Sequence, residues 1–108
     1  MWAIAHKGEV MKLLTEDIKR NMPKIGETAE DSEPRVHAKF FDPTGSWTWY
    51  AMEFDGEDTF FGYVDGDYGE YGYFSLSELQ SVKGMFGLGI ERDIHWDSRT
   101  TMKSVLGE

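Results

Sequence analysis

Six carboxylates fall in two short glycine-containing clusters, Asp55-Gly56-Glu57-Asp58 and Asp65-Gly66-Asp67-Tyr68-Gly69-Glu70. Carboxylates this close together can chelate a hard cation, divide acid and base roles in catalysis, or present fixed negative charge. The second cluster begins like a calcium loop, which needs oxygen ligands at positions 1, 3 and 5, Gly at 6 and Glu at 12. Gly69 falls at position 5 and Glu70 at position 6, so the pattern fails. Tight hairpin turns, which favour Asp-Gly, explain the same residues. Acid–base catalysis needs burial to push two carboxyl pKa values apart, whereas carboxylates on an exposed turn ionise together. Fixed charge is the use that survives.

The other reactive side chains have plainer explanations. His6, His37 and His95 are the only imidazoles, and no two have close metal-ligand spacing. Ser75 and Ser77 lack the Gly-x-Ser-x-Gly surroundings of a nucleophile and suit the start of a helix. Without cysteine there is no disulfide, thiolate zinc site or cysteine nucleophile. No phosphate-cradling glycine loop occurs. Trp47, Trp49 and Tyr50 resemble a base-stacking platform, but such platforms are bordered by Lys and Arg. From Phe40 to Phe74 there is no Lys, Arg or His. No catalytic residue, metal ligand or cofactor is expected, and the chain reads as a non-enzyme.

That window also holds Asp42 and Glu53, for eight carboxylates in all, together with 13 of the 16 aromatics. The rings must be buried, and carboxylates are rarely buried unpaired, so the window should form a rigid, negatively charged surface. The net charge is −9, and residues 27–70 set twelve carboxylates against Arg35 and Lys39 alone. A nucleic-acid binder needs the opposite sign, which argues against direct contact with nucleic acid or an anionic membrane. A basic protein partner fits the electrostatics; the plainer alternative is that acidic loops keep an aromatic-rich domain soluble. Most rings are assigned to the core, but Tyr68 and Tyr71, close to turns, are candidate interface anchors. The candidate partner-binding set is thus Asp55, Glu57, Asp58, Asp65, Asp67, Tyr68, Glu70 and Tyr71. The two acidic turns are expected to form one functional edge. Glu53, inside a strand pattern, fits that division least well.

These residues need a scaffold. A length of 108 residues suits one domain, with residues 1–10 as a flexible leader and 11–108 as the folded unit. No apolar run reaches the length of a membrane span or a secretory signal, so a cytoplasmic protein is expected. Thr15 reads as a helix N-cap, and Pro23 stops that helix near Met22. Lys24–Pro34 is polar and aperiodic, a mobile loop. Val36–Phe41, Ser46–Phe54, Thr59–Val64 and Glu70–Phe74 read as strands joined by short Gly/Asp/Pro turns. Rings on both parities suggest that both sheet faces are partly covered. Ser75 begins a capping box with Glu78, and Gly84 ends that helix. Ile90–Trp96 alternates like a further strand, and a short helix is possible from Thr100 to Leu106. The fold class is α+β, an antiparallel β-meander of about five strands with two or three short helices.

Several strings carry a resemblance. They are Met-Lys-Leu-Leu-Thr at 11–15, Ala-Lys-Phe-Phe at 38–41, Trp-Thr-Trp-Tyr at 47–50 and Glu-Phe-Asp-Gly-Glu-Asp-Thr-Phe-Phe-Gly at 53–62. Gly-Tyr-Phe-Ser-Leu-Ser-Glu-Leu at 72–79 and Gly-Leu-Gly-Ile-Glu-Arg-Asp at 87–93 complete the set. Over about residues 11–98 the chain resembles a family of small bacterial proteins of unknown function carried by plasmids, conjugative elements and phages. The resemblance implies a family start at the equivalent of Met11. The resemblance implies a setting beside antirestriction and other counter-defence genes, and the chain is similar to a small acidic anti-CRISPR protein that blocks an RNA-guided nuclease. No catalytic residue comes with it. The implied function is a counter-defence inhibitor whose carboxylates stand in for phosphates in a basic nucleic-acid groove of a host nuclease. The alternative is an adaptor of plasmid or conjugative transfer machinery, acting as a homo-oligomer.

Overall fold

The computed structural model describes residues 12–82 and 87–108; the leader assigned to residues 1–10 and the helix stop assigned to Gly84 lie outside them. The elements run α1 (Glu16–Asn21), β1 (Ala38–Phe41), β2 (Thr48–Phe54), β3 (Thr59–Asp65), β4 (Gly69–Ser75), α2 (Leu76–Ser81), β5 (Glu91–Arg92) and α3 (Met102–Leu106). The strands form one antiparallel sheet in the order β4-β3-β2-β1-β5. The fold is α+β, with a four-stranded meander and a short fifth strand beside β1.

Local chemistry sets these boundaries. Thr15 Oγ1 accepts from the Ile18 N–H, Glu16 and Asp17 occupy the first turn of α1, and Lys19 and Arg20 its last, as capping and the helix dipole favour. Met22 is extended, the conformation preferred before Pro23. Ser75 and Thr101 cap α2 and α3 by accepting from the Glu78 and Ser104 N–H groups. The α2 helix ends at Ser81, with Val82 extended. Between β1 and β2 the Gly45 N–H donates to the Asp42 carbonyl at 3.2 Å, closing the expected Asp-Pro-Thr-Gly turn.

Both sheet faces are covered. One core cluster unites Ala38, Phe40, Ala51, Phe54, Phe60 and Phe74 with Leu13, Met22, Leu79 and Ile90. A second unites Val36, Met52 and Met102 with the half-buried Tyr50, Tyr63, Trp96 and Val105, so the C-terminal helix covers the middle of the opposite face. Side chains of β2 alternate between the two clusters, and a β-bulge then places Phe54 with Ala51 instead of with Tyr50 and Met52. Ala51 lies opposite Gly62 and Glu53 opposite Phe61, which leaves Met52 as the extra residue.

Two expectations change. The strand predicted over Ile90–Trp96 shrinks to Glu91–Arg92, because the Asp93 carboxylate accepts from the His95 N–H at 2.9 Å and draws the chain into a turn. Ile94 is left 63% exposed, while the Trp96 indole N–H turns back to the Val36 carbonyl at 2.8 Å. Lys24–Pro34 is not a free loop. Successive turns order it, with Glu27 N–H to Lys24 O at 2.9 Å and Ala29 N–H to Gly26 O at 3.2 Å, and Glu53 pins it to β2.

Candidate functional site

A meander alternates the ends at which its turns lie, and this separates the two acidic turns. The Asp55–Asp58 turn joins β2 to β3, and the 66–68 turn joins β3 to β4 at the other end of β3. At ~3.4 Å per residue they stand about 20 Å apart. The single functional edge expected from the sequence is therefore two separate ends of the sheet.

At the first end, most of the charge is engaged within the protein. Asp55 Oδ1 accepts from the N–H groups of Glu57 at 2.8 Å, Asp58 at 2.9 Å and Thr59 at 3.1 Å. The Glu57 and Asp58 N–H groups hold the Asp55 carboxyl below its ordinary pKa, against a small opposing effect of burial. Asp58 accepts from the Ser77 N–H and Ser77 hydroxyl, both at 2.8 Å, so it caps α2 from outside the helix. Only Glu57, exposed at the tip, has no such internal role.

The second end is different. Asp65, Asp67, Tyr68, Glu70 and Tyr71 are all exposed. Two rings brace the turn that carries them. A Cβ on Gly66 would lie 2.7 Å from the Trp47 ring, and one on Gly69 would lie 2.0 Å from the Tyr63 hydroxyl. Both side chains thus pack against bare backbone. Phe41, Thr48, Asp65 and Gly69 line up across the sheet, with Glu91 opposite Phe41, so Glu91 joins the acids of this end.

Beside the turn, the opposite face carries a ladder of rings. Phe61–Tyr73 centroids are 5.2 Å apart, Tyr63–Tyr71 5.1 Å, Tyr50–Tyr63 6.4 Å and Tyr50–Trp96 6.0 Å. Lys39 sits over the Tyr50 and Trp96 rings at 6.0 and 5.7 Å, a cation–π pair at the inner end. The outer end is open, with Tyr68 83%, Tyr71 50% and Tyr73 66% exposed. Burial raises the Tyr71 pKa, and so do the Glu108 carboxylate and Tyr63. Burial, then the Asp65 charge, does the same to Tyr50. Negative charge therefore reaches the ladder from the turn and from the chain end. The sequence pattern places Tyr73 with the core rings; the signal that finds it is its shared parity with Tyr71 on an outer strand.

Glu53 is the acid that the division into rings and turns does not place. It is 3% exposed and accepts from the Gly26 N–H at 2.6 Å, the Thr28 N–H at 3.0 Å and the Thr28 hydroxyl. Burial alone would raise its pKa; the Thr28 hydroxyl and the Gly26 and Thr28 amides outweigh it and hold the carboxyl below its ordinary value. Its role is structural. An open groove of about 550 Å³, lined by Lys39, Phe41, Trp47, Thr48, Ile94 and His95 among others, lies on the β1–β5 side. Among the described residues no group of three or more His, Asp or Glu is placed to hold a metal ion, and no helix is long and apolar enough to cross a membrane.

A family model described as a protein of unknown function (DUF2958) matches residues 8–107, and the chain belongs to that family. No curated protein and no solved structure matches it.

Proposed function

We propose that this member of the DUF2958 family is a non-enzymatic binding protein that uses the β3–β4 end of its sheet to engage a basic surface on another protein. The observation that carries the reading is the exposure of Tyr68, Tyr71 and Tyr73 beside Asp65, Asp67 and Glu70, on a turn braced by Trp47 and Tyr63. Tyrosines supply contact area at low entropic cost, and fixed carboxylates supply steering and register. The absence of Lys, Arg and His from Phe40 to Phe74 gives this surface one sign. A nucleic-acid groove is a strongly basic surface. The partner we favour is a nuclease of host defence, with the protein acting as a counter-defence inhibitor of the anti-CRISPR or antirestriction type.

The test is titration of a purified RNA-guided nuclease with the protein at about 50 and about 300 mM salt, where screening differs strongly. Affinity should fall at least about ten-fold between the two. It should fall further on joint reversal of Asp65, Asp67 and Glu70 to Lys, with Asp55 and Asp58 left intact to preserve the fold. Salt-insensitive binding, or binding that survives the reversal, would refute the reading. Capture of transfer-machinery proteins alone would replace the nuclease with the adaptor role.

A further inference from the structure

We propose that β4 receives an extended lysine- or arginine-rich segment of the partner as a sixth strand. The proposal rests on the acidic-surface reading above and adds the mode of contact.

The backbone supplies the first argument. β4 is the outer strand of the sheet, and its pairing with β3 runs unbroken from Thr59 opposite Ser75 to Asp65 opposite Gly69. Asp55 N–H donates to the Thr59 carbonyl at 2.9 Å and Leu76 N–H to the Asp58 carbonyl at 2.8 Å. These two bonds fix the phase of the ladder, because backbone groups along a strand alternate between its two sides. Phe60, Gly62 and Val64 therefore pair with Phe74, Gly72 and Glu70. The N–H and C=O groups of Tyr71 and Tyr73 point away from the sheet.

Outer strands are usually blunted by lysine, proline or a bulge, because a bare edge templates a further strand. The sequence of β4, Gly-Glu-Tyr-Gly-Tyr-Phe-Ser, has no lysine, proline or bulge, and its one charge, Glu70, guards against an acidic strand but not a basic one. Among the described residues no other strand pairs with it. The amides that face outward belong to the two most exposed tyrosines of any strand, Tyr71 and Tyr73. Main-chain pairing and side-chain contact would thus be offered along one line, the arrangement that strand-addition modules use.

Charge selects the occupant. Asp67 and Glu70 stand at one end of the edge and Glu78 beyond the other, while Glu108 acts on Tyr71. From Phe40 to Val82 the chain has no cation. A second copy laid along the same edge would bring like charges together, which destabilises a strand pair. A basic strand instead sets alternate ammonium or guanidinium groups over the Tyr71 and Tyr73 rings.

The experiment uses a synthetic peptide of about eight residues alternating Lys and Thr, a length matched to one strand. Two further versions carry N-methyl groups on one or the other set of alternate amides. The parent should bind one to one and slow exchange of the Tyr71 and Tyr73 amide hydrogens by about ten-fold or more. One methylated version should bind at least about ten-fold more weakly, and the other nearly as well as the parent, because only one set of amides faces β4. Equal, salt-sensitive binding of all three peptides would overturn edge pairing while leaving the acidic-surface reading standing. Failure of the parent peptide to bind, with the nuclease titration positive, would also overturn it. Slow exchange of the same amides in the peptide-free protein, growing with its concentration, would assign the edge to a second copy and refute the proposal.

Discussion

Residue by residue, the acids of this chain divide by what their oxygens accept. Asp55 takes three backbone N–H groups of its own turn, Asp58 takes the start of α2, and Glu53 takes the 24–30 loop. Each is a carboxylate serving the fold, and each would be lost from a count of charge available to a partner. Glu53 is the sharpest case, because the carboxylate itself is buried and its donors lie 25 and 27 residues away in the chain. Replacing Glu53 by Ala should lower stability by about 1–3 kcal/mol, the range for losing hydrogen bonds to a charged group, read from the denaturant midpoint. The sign with pH follows from its lowered pKa. Such a group contributes fully above the pKa it has in the unfolded chain and loses that contribution as pH falls through its folded value. The gap between wild type and variant should therefore close below about pH 4. An unchanged midpoint at pH 7 would show that Glu53 does not pin the loop.

Among the elements, one bulge organises the sheet. The extra residue Met52 puts Phe54 in the same core cluster as Ala51, and just before it the Tyr50 carbonyl lies close to the backbone of Gly62. A Cβ on Gly62 would lie 1.8 Å from that oxygen, whereas one on Gly72, its neighbour across the ladder, meets nothing within 4 Å. Backbone cannot swing aside as a side chain can. Gly62→Ala should cost about 3 kcal/mol or more, the upper range for forced overpacking. Gly72→Ala should be neutral or stabilise by about 0.5–1 kcal/mol, since glycine weakens a strand interior. Thermal unfolding of the two variants side by side measures this, and similar losses in both would contradict the assigned bulge.

For the molecule as a whole, a net charge of −9 opposes compaction at neutral pH. Salt should therefore raise the melting temperature at pH 7. Acidification toward the isoelectric point near 4.7 relieves the repulsion before it removes the carboxylate hydrogen bonds. Glu53, Asp55 and Asp97 all have pKa values below their ordinary range, so their contributions persist until the pH drops below about 4. The melting temperature should hold or rise from pH 8 to about 5 and fall steeply beneath 4. A melting temperature falling steadily from pH 8 to 5 would mean that charge repulsion does not govern stability in that range.

Sequence alone specifies the parts whose causes are local. Thr15 and Ser75 mark helix starts because a cap is a bond between near neighbours, and the Gly/Asp turns mark the meander because their backbone demands those residues. Sequence also specifies the sign of the surface, since charge is a property of composition. It does not place Glu53, whose partners Gly26 and Thr28 are distant in the chain, nor does it show that Asp93 ends β5 after two residues. Alternation of residues tells which side chains share a face, but not which strand lies outermost. Alternation groups Tyr73 with Tyr71, but only the order β4-β3-β2-β1-β5 shows that their strand is an edge, where the face stays open. The separation of the two acidic turns, by contrast, already follows from the predicted meander, whose consecutive turns lie at opposite ends; a single functional edge is inconsistent with that topology.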